Sequence, residues 1–210
     1  MYDFYIFDLD GTLLDTLDDL ADSVNATLEH YGFPLVTREQ VREFVGNGMK
    51  NLMERALFGV PENFDEILTW FKAHYRQNST NKTKPYEGII ELLKRLKAEG
   101  KKTAVVSNKA HFATEKLSKL YFGDLLDFTL GEKEAEGIRK KPAPDSVELA
   151  LKTMGVDKSR AVYIGDSDVD ILTAKNVGLP CISVTWGFRD EEFLKEHGGK
   201  IFAYTTEDIR

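Results

Sequence analysis

Apolar positions in this chain follow two alternating rhythms. Short, unbroken apolar runs end in polar or acidic residues: DFYIFD near the N-terminus, KTAVVSN at 102–108, RAVYIGD at 160–166, PCISVTW at 180–186 and, more weakly, KIFAYT at 200–205. Runs this short and uniform predict strands buried on both faces, as in a parallel sheet. Between them the apolar residues recur at helical spacing. Ile89, Leu92, Leu93 and Leu96 form one such stripe, with Gly100 after it; Val147, Ala150, Leu151 and Met154 form another, with Gly155 after it and Pro144 near its start. Glycine just past a stripe is a C-terminal stop, and proline at the first turn loses no hydrogen bond. Alternating strand and helix predicts an α/β fold, a doubly wound parallel sheet with helices on both faces.

From Leu17 to about Thr80 the alternation stops and only helical patterns appear. Leu17, Leu20, Ala21, Val24, Leu28 and Tyr31 make one stripe that Gly32 ends. TREQ at 37–40 has the form of a capping box and opens a second helix. GNGMKNLMERALFGV leads into a third through Leu52, Met53, Ala56 and Leu57. ENFDEILTWFKAHY supplies a fourth through Phe64, Ile67, Leu68, Phe71 and Tyr75. The expected organisation is a core of residues 1–15 and 83–210, interrupted by an all-helical insertion over 16–82. GEKEAEG at 131–137 reads as a short solvated loop.

Composition narrows the function. With 210 residues, 42% of them hydrophobic, the chain can bury one substantial core with a small appendage. A net charge of -7 argues against a general nucleic-acid binder, and it requires any anionic substrate to be held by a local cationic pocket. The single cysteine, Cys181, excludes an internal disulfide and reads as a buried strand residue. No apolar run reaches membrane-spanning length and no leader pattern is evident, so the expectation is a cytoplasmic protein without membrane or nucleic-acid partners, a monomer or weak homodimer.

The candidate chemistry lies where apolar runs meet polar residues. In open α/β sheets ligands bind beyond the carboxyl ends of the strands. That rule gathers Asp8 and Asp10, Ser107 and Asn108, and Asp166, with Lys141 of KKPAP before a helix on the same side. Asp8 and Asp10 are two apart, so an extended backbone would turn both to one face, where two like charges need a compensating cation. Asp8, Asp10 and Asp166 offer hard oxygen ligands, with Asp170 a helical turn further on. The set suits Mg²⁺, which takes a few carboxylates plus water and substrate phosphate. Ser107 can donate to phosphate oxygens, and Lys141 can neutralise phosphate and carboxylate alike.

DLDGT, a strand-end SN, a downstream KP and GDSDVD, in that order, closely resemble the four motifs of the haloacid dehalogenase superfamily of phosphohydrolases. The resemblance covers the whole chain, including a helical cap inserted after the first motif, and VGNGMKNLMERAL resembles the cap loop of the phosphoglycolate phosphatase-like members. It implies a Rossmann-like core with an all-helical cap, and a Mg²⁺-dependent phosphatase acting on a small phosphorylated metabolite, phosphoglycolate first. It makes Asp8 the nucleophile, Asp10 the acid and then the base, and Lys141 the third catalytic residue. It assigns Mg²⁺ to the Asp8 carboxylate, the Asp10 carbonyl and Asp166, with Asp170 orienting a metal-bound water or Lys141. An acid at position 10 favours an oxygen-ester leaving group. Gly11 permits the turn, and Thr12 bonds the loop or the phosphate. Hinges are expected at Leu14 to Thr16 and Lys82 to Tyr86. Asn47 and Gly48 of VGNG, with Asn108, are the expected substrate contacts, and Arg42, Lys50 and Arg55 are further partners for an anionic substrate.

Each residue also has a plainer reading alone: a surface lysine for Lys141, a helix N-cap for Ser107, a first-turn helix acid for Asp170. Four motifs in order outweigh these. His30, His74, His111 and His197 show no ligand spacing, and Trp70, Phe71 and Tyr75 read as core. The alternatives are a phosphosugar mutase of β-phosphoglucomutase type on the same core, and, from another class, a receiver module phosphorylated on aspartate. The receiver lacks both a helical insertion after its first strand and an Asp-x-Asp-Gly-Thr.

Overall fold

The computed structural model describes residues 2–210. Its larger sheet has six parallel strands: β1 (Phe4–Phe7), β4 (Lys102–Ala110), β5 (Phe128–Glu132), β6 (Ala161–Gly165), β7 (Cys181–Val184) and β8 (Ile201–Ala203), in the order β5-β4-β1-β6-β7-β8. Two short strands, β2 (Leu14–Asp15) and β3 (Lys84–Pro85), form a separate antiparallel pair. The helices are α1 (Leu17–His30), α2 (Arg38–Phe44), α3 (Gly48–Ala56), α4 (Phe64–Asn78), α5 (Ile89–Ala98), α6 (His111–Tyr121), α7 (Asp145–Met154), α8 (Asp168–Val177) and α9 (Glu191–Glu196).

β1 sits at the centre because all four of its residues are apolar and both faces are covered. Its side chains alternate between the two layers. Tyr5 and Phe7 pack with Ile89, Leu92, Leu93 and Leu96 of α5 and with Leu117 of α6, while Phe4 and Ile6 pack with Val147 and Ala150 of α7 and Ala174 and Val177 of α8. The register then places the chemistry. Phe7 is paired with Val105 on one side and Ile164 on the other. The residues that follow, Asp8, Ser107 and Asp166, therefore emerge along one edge of the sheet.

α1 to α4 build their own apolar cluster from Leu20, Val24, Leu28, Val41, Leu52, Met53, Ile67 and Phe71, among others. The expected helix signals operate here. Thr37 and Gln40 form a reciprocal capping box at α2, and Gly155 takes the left-handed conformation that ends α7. The two chain segments that connect this helical unit to the sheet are the β2·β3 pair, Leu14 opposite Pro85 and Asp15 opposite Lys84. Asp19, buried near the start of α1, fastens the return segment: its carboxylate accepts from the backbone N–H of Lys82 (2.9 and 3.1 Å) and Thr83 (2.9 Å) and from the Thr83 hydroxyl (2.7 Å).

The pattern missed β5 and the ends of some elements. β5 is an edge strand, paired among the described residues with β4 alone, and its sequence FTLGE lacks an unbroken apolar run. It takes in Gly131 and Glu132, which the loop reading had placed in solvent; the remainder, Glu134–Glu136, is one exposed 3₁₀ turn. β4 runs past the expected Asn108 to Ala110.

Candidate active site

β1 stops at Phe7, so Asp8 and Asp10 are not consecutive same-face residues of one strand. The backbone turns after Asp8, and Gly11 carries that turn with φ of +83°. A Cβ at Gly11 would lie 2.2 Å from Asp166 Oδ2, so position 11 must also be bare for the β1 and β6 ends to meet. The turn separates the two carboxylates, and each obtains its own lysine.

Asp8 joins Asp166 and Asp170. One oxygen from each of these three buried acids lies within 4.8 Å of the others. Lys141 Nζ reaches into the group, 3.0 Å from Asp8 Oδ1 and 2.8 Å from Asp170 Oδ1, and donates to the Tyr163 hydroxyl at 2.9 Å. Asp170 is fully buried and its other oxygen accepts from the Ser167 backbone and hydroxyl, while Ser167 Oγ accepts from the Asp170 N–H and so caps α8. Asp166 accepts from the Thr12 hydroxyl (3.0 Å) and the Phe188 backbone N–H (2.8 Å). The ion pair with Lys141 is what holds the buried Asp8 Oδ1.

Three carboxylates and one ammonium leave an excess of negative charge in a buried place. Burial pushes the Asp8 carboxyl up to about 6 against the pull of Lys141, and burial followed by Asp170 and Asp8 raises Asp166 further. Burial alone would lower the Lys141 ammonium, but Asp170 and Asp8 hold it well above the usual lysine range. A hard divalent cation fits this donor set of buried carboxylate oxygens, because it would relieve a charge excess that one ammonium does not balance. Asp166 and Asp170 each have both oxygens engaged, Asp166 by Thr12 and Phe188 and Asp170 by Lys141 and Ser167.

The Asp10 carboxylate lies outside this cluster. It accepts from the Thr16 hydroxyl at 2.6 Å and from Lys109 Nζ at 2.9 and 3.2 Å. Lys109 is 5% exposed and lies over the ring of Tyr75 from α4, 4.7 Å from its centroid. The sequence reading stopped at Ser107 and Asn108 and missed this lysine. The available signal was a cation one residue past a strand end that itself pointed at the site.

Several expected substrate contacts have other partners. The Asn108 amide grips the backbone of Lys141, donating to its carbonyl at 2.9 Å and accepting from its N–H at 2.8 Å, and also donates to Gly46 O at 3.1 Å. It positions the lysine. Thr12 is fully buried and holds Asp166. Ser107, Asn108 and Gly48 border a partly open cavity of about 40 Å³ that Asp8, Asp10 and Asp166 also line; Asn47 borders a different groove. The expected cations of the helical unit turn elsewhere too. Arg42 donates to Phe188 O at 2.5 Å, Arg55 to Phe44 O at 2.8 Å, and Lys50 stands exposed beside Glu54. What the helical unit gives the cavity is apolar: Leu20, Val45, Met49 and Leu52.

The loop after β7, also absent from the sequence reading, closes the remaining side. Trp186 Nε1 donates to Thr12 O at 3.0 Å, and Gly187 packs so tightly that a Cβ would lie 2.4 Å from Gly11 O. Arg189 reaches the end of α2, donating to the carbonyls of Arg42 (2.9 Å), Glu43 (3.1 Å) and Val45 (3.3 Å). These are carbonyls that a helix end leaves free. With the Arg42 bond to Phe188 O running the other way, the loop and the helical unit hold each other.

Residues 5–184 match the model of the haloacid dehalogenase-like hydrolase family. The phosphoglycolate phosphatase of Colwellia psychrerythraea is 36% identical over 202 residues, covering 92% of this chain and 88% of its own, and that of Aquifex aeolicus is 35% identical, covering 87% and 84%. Among solved structures, a candidate phosphoglycolate phosphatase from Lactobacillus delbrueckii superimposes with a TM-score of 0.93 at 38% identity, over 99% of this chain and 96% of that one. CbbY from Rhodobacter sphaeroides, in complex with phosphate, gives a TM-score of 0.81 at 26% identity, over 98% and 95%. Motifs, sheet order, strand-end carboxylates and relatives agree: the chain belongs to the haloacid dehalogenase-like hydrolases, on the phosphatase side of that family.

Proposed function

We propose that the protein is a Mg²⁺-dependent phosphatase that cleaves a small phosphomonoester, with phosphoglycolate the leading substrate, by way of a phosphoryl group carried on Asp8. The observation that supports this most directly is the Asp8 carboxylate: buried just past the end of β1, grouped with Asp166 and Asp170, and with Lys141 Nζ 3.0 Å from its Oδ1.

In this reading Asp8 attacks phosphorus as the P–O ester bond breaks, and Asp10 gives its proton to the departing alkoxide. Asp10 then takes a proton from the water that attacks the acyl phosphate, which returns Asp8 and releases inorganic phosphate. Two displacements replace one harder one. Asp10 can do separate work from Asp8 because its carboxylate stands apart from the acidic cluster, on the wall of the same cavity. The Asp8 and Asp166 carboxylates and the Asp10 carbonyl would hold Mg²⁺, which supplies charge neutralisation for the transferring phosphoryl group. Lys141 screens Asp8 from its neighbours, and Asn108 and Asp170 keep Lys141 in place. Residues 16–82 act as a cap that must lift to admit substrate, since a cavity of about 40 Å³ has room for only a few waters. The protein acts in the cytoplasm on a soluble metabolite.

The test is phosphate release by purified protein with Mg²⁺ over a panel containing phosphoglycolate, hexose phosphates, nucleotides, pyrophosphate and an aryl phosphate. Release from phosphoglycolate is expected to lead, and Asp8→Asn to abolish turnover of every compound. Undiminished turnover by Asp8→Asn would remove the nucleophile assignment. Conversion of a hexose 1-phosphate without phosphate release would favour the mutase.

A further inference from the structure

The site holds cations beyond the lysine that serves Asp8. Lys141 serves Asp8 and Asp170. Two other cationic side chains line the cavity beside Asp8, Lys109 and Arg189, and both come from the sheet side. Lys109 has Asp10 and the face of Tyr75 as its partners. Arg189 donates from both terminal nitrogens to carbonyls of the α2 end and lies 5.4 Å from the Phe193 ring, yet its Nε–H is buried and has no acceptor among the described residues. A buried charged donor without an acceptor is costly, and it marks a place where an acceptor is missing.

The wall given by the helical unit limits what that acceptor is. Its side chains there, Leu20, Val45, Met49 and Leu52, offer nothing to the hydroxyls of a sugar, and a volume of about 40 Å³ suits a substituent of a few atoms. We propose that Lys109 and Arg189 are specificity-determining residues that receive a second, short anionic group of the substrate, a carboxylate close to the ester oxygen. This rests on the phosphomonoesterase reading above and relocates selectivity. The sheet-side loops choose the charge, and the helical unit contributes an apolar lid, in place of the lid cations Arg42, Lys50 and Arg55.

Phosphoglycolate and ethyl phosphate have nearly the same shape, and only the first has the carboxylate. The experiment compares kcat/KM for the two with wild type, Lys109→Met, Lys109→Arg and Arg189→Gln. Wild type is expected to prefer phosphoglycolate by about 100-fold. Lys109→Met and Arg189→Gln should each shrink that preference by about 10- to 100-fold, the range of one hydrogen bond to a charged group. Lys109→Arg should keep most of it. The ratio is insensitive to a purely structural loss, to a loosened lid or to displacement of Asp10, all of which slow both substrates together.

A preference unchanged in both Lys109→Met and Arg189→Gln overturns the assignment. So does a wild-type preference below about 10-fold, which needs no variant to fold. Absence of turnover of any phosphomonoester by wild type would instead refute the phosphatase reading itself.

Discussion

Replacing Lys141 by methionine tests the electrostatics of the site directly. The change keeps much of the stem and removes the ammonium that lies against Asp8 and Asp170. Lys141 is 2% exposed and Asp170 is 0% exposed, so solvent cannot take over the lost charge. Removing one partner of such a buried pair costs about 3–5 kcal/mol. For a chain of this size that corresponds to a fall in Tm of roughly 6–12 °C at the lower end of the range.

The cost must also depend on pH, with a sign the structure sets. Burial first, and neighbouring acids next, raise the Asp8 and Asp166 carboxyls from 3.8 to about 6 and about 8, with Lys141 opposing the rise at Asp8. A carboxyl raised on folding contributes stability that is complete below its unfolded value, near 4, and that is lost as pH climbs through the folded value. The metal-free protein should therefore weaken between about pH 4 and 8. Lys141→Met removes the opposing ammonium charge and makes that decline steeper. Urea unfolding in the presence of chelator, followed by the fluorescence of Trp70 and Trp186, measures the loss at pH 5 and at pH 8. The loss is expected to be larger at pH 8, and millimolar Mg²⁺ to recover part of it there and little at pH 5. A loss under about 1 kcal/mol at pH 8, or equal losses at both values, would refute the charge-excess account.

Two further substitutions probe the frame around the site. Asp19→Ala leaves the N–H groups of Lys82 and Thr83 and the Thr83 hydroxyl without their acceptor; a loss of about 2–4 kcal/mol in urea unfolding is expected, with faster proteolysis near residue 82, and wild-type protease resistance would show that the return segment is held by other means. Gly11→Ala drives a methyl into Asp166 and imposes a left-handed backbone on alanine; activity titrated against Mg²⁺ should show apparent affinity weakened by about 10- to 100-fold, and an unchanged titration would mean that the contact relaxes without moving the carboxylate.

The sequence by itself determined the sheet, the helical insertion and the acidic strand ends. β1, β4 and β6 are legible because a central parallel strand is buried on both faces, and solvent exclusion then enforces an unbroken apolar run. Asp8 and Asp166 are legible because each carboxylate directly follows such a run, and Lys141 because KKPAP precedes a helix on the same side of the sheet. Edge strand β5 carries a weaker signal, since burial acts on it from fewer sides.

Only the tertiary structure decided who partners whom. Asn108 and Thr12 have side chains suited to a phosphate, and whether they meet one depends on a backbone 33 residues away for Asn108 and a carboxylate 154 residues away for Thr12. Arg42 and Arg55 have the charge to bind a substrate, but backbone carbonyls claim them. Lys109 and Arg189 look like ordinary surface cations in the chain. They become cavity residues because β4 extends beyond Asn108 and because the loop after β7 folds back against α2. A hydrogen bond depends on distance and angle between groups far apart in sequence, whereas burial leaves its mark on each residue locally. That difference is why the fold could be read along the chain and the pairing within the site could not.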